Sequence, residues 1–137
     1  MKAAKAAEQF FDTNAVLYLL SADQAKADRA EALLSGGGVV SVQVLNEFAS
    51  VASRKLGMTI AEIREALAAI RAVCAVVPIV EESHDLGLQL VERHGLSLYD
   101  AMIVASALLA GCKTLYSEDL QNGQRFEKRL VVTNPFK

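Results

Sequence analysis

Four carboxylates stand in this sequence at the end of an apolar run, at the start of a long apolar segment, or, for Glu47, within the helix predicted to follow the second strand. The acids, each in its sequence context, are Asp12 in FFDTN, Glu47 in SVQVLNEF, Asp100 in SLYDAMIVASALL and Asp119 in TLYSEDLQNGQ. Carboxylates that converge without a cation repel one another, and some of them take up protons at neutral pH. Mg²⁺ and Mn²⁺ remove this repulsion because they are hard cations that prefer oxygen ligands. If the fold brings the four acids together, the sequence predicts a Mg²⁺ or Mn²⁺ site.

Such a site suits the hydrolysis of phosphodiester bonds. A bound metal ion lowers the pKa of a water molecule, orients that water, and neutralises charge on the phosphate and the leaving oxygen. This chemistry needs acids and no catalytic histidine. The sequence holds two histidines, His84 and His94, and neither is placed near the acids. His94 precedes Gly95, where a helix is expected to end and a cation favours the helix dipole, so we interpret both histidines as structural or solvent-exposed.

Each acid also has an ordinary structural interpretation. Asp12 has the position of a helix N-cap, and Asp100 has capping-box spacing from Ser97. Asp119 has the position of a turn residue, and Glu47 can lie on a solvated helix face beside Gln43. Asp100 favours the metal site, because the helix that it opens is apolar on every side and offers no Lys or Arg partner within one turn. A cap and a metal ligand are compatible roles, since a carboxylate has two oxygens.

Short apolar runs alternate with longer helical patterns between these acids. The predicted strands cover residues 8–11, 39–41, 75–79, 114–116 and 129–132. The predicted helices cover about residues 14–20, 23–35, 42–56, 60–73, 82–94 and 98–110. Thr59 and Glu62 have capping-box spacing, and Gly57 and Gly95 are placed to end helices. Alternating strands and helices predict an α/β fold whose parallel sheet is covered on both faces and binds ligands at the carboxyl ends of its strands.

Length and composition narrow the class of protein. The 137 residues fit one domain with its own core, and 53% hydrophobic against 22% charged residues excludes a disordered chain. No apolar run approaches the roughly 18 residues of a membrane span, and the N-terminus has no apolar signal segment, so we expect no membrane partner and a cytoplasmic location. Cys74 and Cys112 lack zinc-site spacing and are expected to be buried thiols. The run of three glycines at 36–38 precedes a strand, so it is no dinucleotide fingerprint.

The runs FFDTN, NEF, LSLYDAMIVASAL and LYSEDLQNGQ together resemble a PIN-domain nuclease, and more narrowly the VapC toxins of type II toxin–antitoxin systems. The resemblance extends from about Gln9 to Phe136. It implies a three-layer α/β/α fold with a central, mainly parallel sheet. It also implies a single nuclease domain over residues 9–137, preceded by a short N-terminal extension over residues 1–8.

For the site, the resemblance implies an acidic quartet that holds one or two Mg²⁺ or Mn²⁺ ions, made of Asp12, Glu47, Asp100 and Asp119. It implies that Asn14 and Ser117 are small polar residues that support the quartet. The implied activity is endonucleolytic cleavage of RNA by metal-activated water. The implied partners are the RNA substrate, a second copy of the chain in a homodimer, and a cognate antitoxin protein whose tail occupies the groove.

Two alternatives to the toxin remain open at this point. One keeps the fold but assigns the nuclease to RNA processing or DNA maintenance; small size and the lack of an RNA-binding module favour the toxin. The other is a non-catalytic receiver domain, which requires paired acids after the first strand and a Lys after the last strand. Here the first strand is followed by one Asp and the last by Thr133, Asn134 and Pro135.

The role of Arg125, Lys128 and Arg129 is open as well. They are either phosphate contacts for RNA or a solvated surface cluster.

Overall fold

One mixed sheet organises the chain in a computed structural model, which describes residues 8–136. Its strands are β1 (Gln9–Phe11), β2 (Gly38–Ser41), β3 (Cys74–Val77), β4 (Thr114–Tyr116), β5 (Arg125–Phe126) and β6 (Leu130–Thr133). They lie in the order β3-β2-β1-β4-β6-β5, and all pairs are parallel except β5 with β6. Apart from Glu8, the predicted N-terminal extension lies outside the described residues.

Six α-helices cover this sheet. They are α1 (Thr13–Leu17), α2 (Gln24–Ser35), α3 (Val42–Leu56), α4 (Ile60–Val73), α5 (Glu81–His94) and α6 (Leu98–Leu109), with a 3₁₀ turn at Tyr18–Leu20. Helices α1 to α4 pack on one another, and α5 packs along α6. Right-handed crossovers place these two groups on opposite faces of the sheet. The predicted three-layer α/β/α fold is therefore confirmed. Among the described residues, no helix has the length and apolar character needed to cross a lipid bilayer.

Local signals placed most of the helix ends correctly. The Thr59 hydroxyl accepts a hydrogen bond from the Glu62 N–H at 3.1 Å, and the Glu62 carboxylate accepts one from the Thr59 N–H at 2.8 Å. This is the predicted capping box. Gly57 and Gly95 end their helices with φ angles of 63° and 68°, in the left-handed region that glycine adopts without a steric penalty.

Three elements differ from the prediction. Strand β3 ends at Val77 rather than at residue 79, because Pro78 has no N–H to continue the ladder. The predicted helix over 14–20 begins at Thr13 and changes to the 3₁₀ turn at Tyr18. Strand β5 was not predicted, because two residues are too few to show a strand pattern.

Helix α6 is the central helix of the fold, as its apolar sequence predicted. Every residue from Ala101 to Leu108 is buried. Cys74 and Cys112 are buried as well, as expected. Burial raises the pKa of the Cys112 thiol to about 11, so this sulfur is a poor nucleophile at neutral pH. Helix α6 packs on β2, and its first turn carries Asp100.

Gly38 is required by the close packing of β2 against the ring of Phe11. A methyl group at residue 38 would overlap the Phe11 ring and approach the Gln9 carbonyl oxygen to 3.0 Å. The ring cannot withdraw, because Phe11 is buried and stacks on Tyr116 with 5.5 Å between ring centroids. We therefore expect Gly38→Ala to lower the free energy of unfolding by about 1–3 kcal/mol, measured by urea denaturation.

The matched control is Gly36→Ala. Gly36 has a helical φ of −76°, and a methyl group there meets no atom closer than 3.5 Å. The control should therefore keep or slightly raise the stability. Equal losses in the two variants would contradict the role assigned to Phe11.

Candidate metal centre

The carboxyl ends of β1 and β4 lie side by side, and this edge of the sheet carries the first part of the site. Asp12 directly follows β1, and its N–H donates to the Tyr116 carbonyl oxygen at 3.0 Å. Ser117 directly follows β4, and its N–H donates to the Thr133 carbonyl oxygen at 3.1 Å. The ladder therefore continues one residue beyond each strand and aligns Asp12 with Ser117, although the two residues are far apart in the sequence.

Asp12 is buried, with 5% of its surface exposed, and it caps α1. Its Oδ1 accepts a hydrogen bond from the Thr13 N–H at 2.7 Å. Its Oδ2 accepts bonds from Ser117 Oγ at 2.8 Å and from Asn14 Nδ2 at 3.2 Å. The N-cap interpretation is confirmed. A carboxylate offers about four acceptor positions, so the cap does not exhaust the capacity of Asp12 to bind a cation.

Asn14 and Ser117 connect Asp12 to the loop that carries Asp119. The Asn14 side-chain oxygen accepts a hydrogen bond from the Glu118 N–H at 2.8 Å. Ser117 Oγ accepts one from the Asp119 N–H at 3.2 Å while it donates to Asp12. The two polar residues singled out in the sequence are thus in direct contact with the acid and with the loop.

Glu47 lies one turn further into α3 than its neighbour Gln43. Its Oε1 accepts a hydrogen bond from Thr13 Oγ1 at 2.5 Å, and its Oε2 accepts one from Gln43 Nε2 at 3.1 Å. Gln43 is only 9% exposed and Glu47 is half-buried, so this part of the helix face is not fully solvated. Sequence reasoning did not identify Thr13 or Gln43 as site residues. Their only signals were adjacency to Asp12 and a four-residue spacing from Glu47.

The acids are electrostatically coupled. Burial raises the pKa of Asp12 from 3.8 to about 6; hydrogen bonds from Ser117 and Thr13 oppose this rise, and the charges of Asp119 and Asp100 add to it. Burial also raises the pKa of Asp100, a hydrogen bond with Ser97 lowers it, and the charges of Asp119 and Glu47 raise it further. Each of the four acids therefore lies within electrostatic range of at least one other. The charge of Asp119 raises the pKa of both Asp12 and Asp100.

The residues present fit a hard divalent cation. Among residues 8–136, the ion pairs are Arg93 with Glu127 and Lys113 with Glu8, so no basic side chain neutralises any of the four acids. Nor do any three acidic, histidine or cysteine side chains in that range lie close enough to share one ion directly. An all-oxygen set with one or two direct carboxylates and retained waters is the mode that Mg²⁺ adopts. Softer metals such as zinc favour nitrogen or sulfur ligands, which this edge lacks.

Of the three basic residues considered as phosphate contacts, Lys128 and Arg129 lie away from the acids. Arg125 lies in β5, and Lys128 and Arg129 lie in the turn to β6. Because β5 runs antiparallel to β6 and Phe126 pairs with Leu130, this turn is at the amino end of β6. The acids lie at the opposite side of the sheet, where the parallel strands have their carboxyl ends. The structure therefore does not bring Lys128 and Arg129 to the site, and the surface-cluster interpretation accounts for their exposure.

Both histidines are exposed and take no part in the acidic site. His84 lies on α5, and His94 ends that helix with its ring edge-on to the Phe126 ring, 5.0 Å between centroids. The expectation that they are structural or solvent-facing agrees with these positions.

An apolar groove adjoins the acids. Its volume is about 370 Å³, and its lining includes Leu17, Leu20, Val51 and Leu56. Asn14 and Glu118 also line it, which makes the groove continuous with the site. Glu118 is held there by the Tyr18 hydroxyl, which donates to its carboxylate at 2.8 Å.

Comparisons with known proteins agree with the sequence resemblance. A sequence model of the PIN domain matches residues 10–126. Among solved structures, VapC20 of Mycobacterium tuberculosis, described as a sarcin–ricin loop cleaving toxin, is 25% identical with a TM-score of 0.66, covering 81% of this chain and 89% of that one. No match was found among curated protein sequences.

Two further structures share the fold at lower identity. A toxin–antitoxin complex from Klebsiella pneumoniae is 20% identical with a TM-score of 0.70, covering 93% of this chain and 97% of that one. VapBC2 from Rickettsia felis, bound to a DNA fragment from its promoter, is 17% identical with a TM-score of 0.66, covering 92% and 97%. At these identities the likeness concerns the fold alone.

Proposed function

The chain belongs to the PIN domain family, a family of nucleases, and on this basis we propose that it is a metal-dependent endoribonuclease acting as the toxin of a toxin–antitoxin pair. The observation that carries the proposal is a hydrogen-bond network in which Thr13 joins Asp12 to Glu47 and Ser117 joins Asp12 to the N–H of Asp119, while among residues 8–136 no ion pair neutralises any of the four acids. This arrangement is unfavourable in an empty site and favourable around a divalent cation.

The residues that would hold the ion, one or two of them directly and the others through retained waters, are Asp12, Glu47, Asp100 and Asp119. The chemistry supplied by a bound ion is activation of a water molecule and neutralisation of charge on the scissile phosphate. The chain's own contribution is to orient the carboxylates that would bind the ion. Asp12 is held by hydrogen bonds from Thr13, Ser117 and Asn14, so its carboxylate keeps one direction.

Two observations support RNA and an antitoxin as partners. VapC20, at 25% identity, is described as a toxin that cleaves the sarcin–ricin loop, so a structured RNA in the cytoplasm is the proposed substrate class. Two of the structures with this fold are toxin–antitoxin complexes. The apolar groove beside the acids is suited to the apolar side chains of an antitoxin tail, which would block access to the site. A homodimer is part of the same proposal, and light scattering of the purified protein tests it.

The activity is tested with purified protein and total cellular RNA in Mg²⁺, in Mn²⁺ and in EDTA. We expect discrete fragments in the metal-containing reactions and intact RNA in EDTA, because chelation removes the ion that would activate water and neutralise charge on the phosphate. Cleavage of DNA but not RNA would support the alternative role in DNA maintenance. Intact RNA in every reaction, together with no heat of Mn²⁺ binding by calorimetry, would contradict the proposed function. That result would support a non-catalytic binding role instead.

A further inference from the structure

Gln43 joins two acid-bearing helices through one amide group. Its Nε2 donates to Glu47 Oε2 on the same helix at 3.1 Å and to the Tyr99 carbonyl oxygen at 3.1 Å. Tyr99 directly precedes Asp100 in the first turn of α6. A primary amide has two N–H donors, and both acceptors here are oxygens. The amide therefore has one orientation that satisfies both contacts, with nitrogen toward Glu47 and Tyr99.

The other oxygen of Glu47 is held from a different element. Thr13 Oγ1 donates to Glu47 Oε1 at 2.5 Å, and the Thr13 N–H donates to Asp12. Glu47 is thus held between two neutral donors, one on α1 and one on α3. Neither donor adds a charge to the site, so the attraction of the carboxylates for a cation is not weakened by a competing basic residue.

The contacts form a continuous chain through Thr13, Glu47, Gln43 and the Tyr99 carbonyl. We call this chain the Gln43 clamp. It connects the elements that bear Asp12, Glu47 and Asp100, whose mutual repulsion acts to separate them. Gln43 is 9% exposed and Thr13 is 7% exposed, so water does not readily replace either donor. The three hydrogen bonds are partly buried, and such bonds hold a geometry more strictly than fully exposed ones.

We propose that Gln43 is a positioning residue, which acts through Glu47 and the first turn of α6 to preset the separation of the acids for a divalent cation. Gln43 does not itself contact the ion or the RNA in this proposal. The proposal rests on the proposed function, because it concerns the same metal site. It adds a residue outside the acidic quartet and its polar supports, and it assigns that residue an effect on metal affinity.

The test is calorimetric titration of Mn²⁺ into protein without RNA. Gln43→Met keeps the length and helix preference of the side chain and removes both donors. Thr13→Val keeps the shape of residue 13 and removes the donor to the other oxygen of Glu47. We expect each variant to bind Mn²⁺ about 10- to 100-fold more weakly, the range found when a residue that orients a metal ligand is removed. At saturating Mn²⁺, cleavage by Gln43→Met should recover toward the wild-type rate with an unchanged KM for RNA.

Gln9→Met is the matched control for a purely structural role. Gln9 also bridges elements, donating to the Gly37 carbonyl oxygen at 3.0 Å and accepting from the Tyr116 hydroxyl at 3.1 Å, but it begins β1 at the edge opposite the acids. This variant should lose thermal stability and bind Mn²⁺ like the wild type.

Wild-type Mn²⁺ affinity in Gln43→Met, with a stability loss like that of Gln9→Met, would overturn the clamp and leave the nuclease proposal intact. A wild-type protein that binds no Mn²⁺ and cleaves no RNA would overturn both. The two failures are therefore distinguishable.

Discussion

Asp100→Asn is expected to lower the rate of metal-dependent RNA cleavage by at least about a hundredfold, because metal catalysis contributes several kcal/mol and each 1.36 kcal/mol is tenfold in rate. Asp100 lies at the exposed end of an otherwise buried helix, and its pKa is raised first by its partial burial and then by the charges of Asp119 and Glu47. An amide keeps the shape of the side chain but removes the charge that draws in the cation. The measurement is single-turnover cleavage of one defined RNA at several Mg²⁺ concentrations.

The fold should survive this change. Helix α6 is capped by the Ser97 hydroxyl, which accepts from the backbone N–H of residue 100 at 3.3 Å, and that bond does not involve the substituted side chain. A thermal melt close to that of the wild type would confirm it.

Asp28→Asn is the matched control for loss of one negative charge. Asp28 is exposed on α2, where its carboxylate accepts a hydrogen bond from Gln24 at 2.7 Å. The Asp28→Asn variant should cleave RNA at the wild-type rate. Full activity in Asp100→Asn would remove Asp100 from the metal site, and equal losses in both variants would indicate a general effect of net charge instead.

The metal-free protein is expected to lose stability as the pH rises from about 4 to above 6. Asp12 has a pKa near 6 in the folded protein against an ordinary value of 3.8, mainly because it is buried. Between these values the folded state binds more protons than the unfolded state, so the free energy of unfolding falls as the pH rises. At 1.36 kcal/mol per pKa unit, the loss from Asp12 approaches roughly 3 kcal/mol. Urea denaturation in EDTA across this pH range measures it.

Asp12→Asn should flatten this pH profile and stabilise the metal-free protein at neutral pH. The amide oxygen can still accept from the Thr13 N–H, while the amide nitrogen faces the Asn14 side-chain nitrogen, which offsets part of the gain. Saturating Mn²⁺ should have the opposite effect, stabilising the wild type more than the variant. An unchanged pH profile in Asp12→Asn would show that another group titrates.

Element types and their order were readable from the sequence because their signals are local. Three of these signals each depend only on residues within one or two helical turns. They are the capping box at Thr59, the glycines at 57 and 95 that end helices, and the apolar residues on every side of α6. Alternation of strands and helices then restricts the sheet to a parallel one, and parallel strands present their carboxyl ends at a common edge. For that reason the sequence predicts that the acids share one site.

Contacts between distant segments decided the rest. The sequence contains Thr13, Gln43 and Tyr99, but only the packing of α1, α3 and α6 joins them through Glu47. Lys128 and Arg129 follow Asp119 closely in the sequence. Because β5 runs antiparallel to β6, however, the turn that holds them lies at the amino end of β6, opposite the acids. Sequence periodicity reports which face of an element is buried, whereas hydrogen-bond partners and strand direction depend on which elements become neighbours. The composition of the site is therefore a property of the sequence, and its geometry is a property of the tertiary structure.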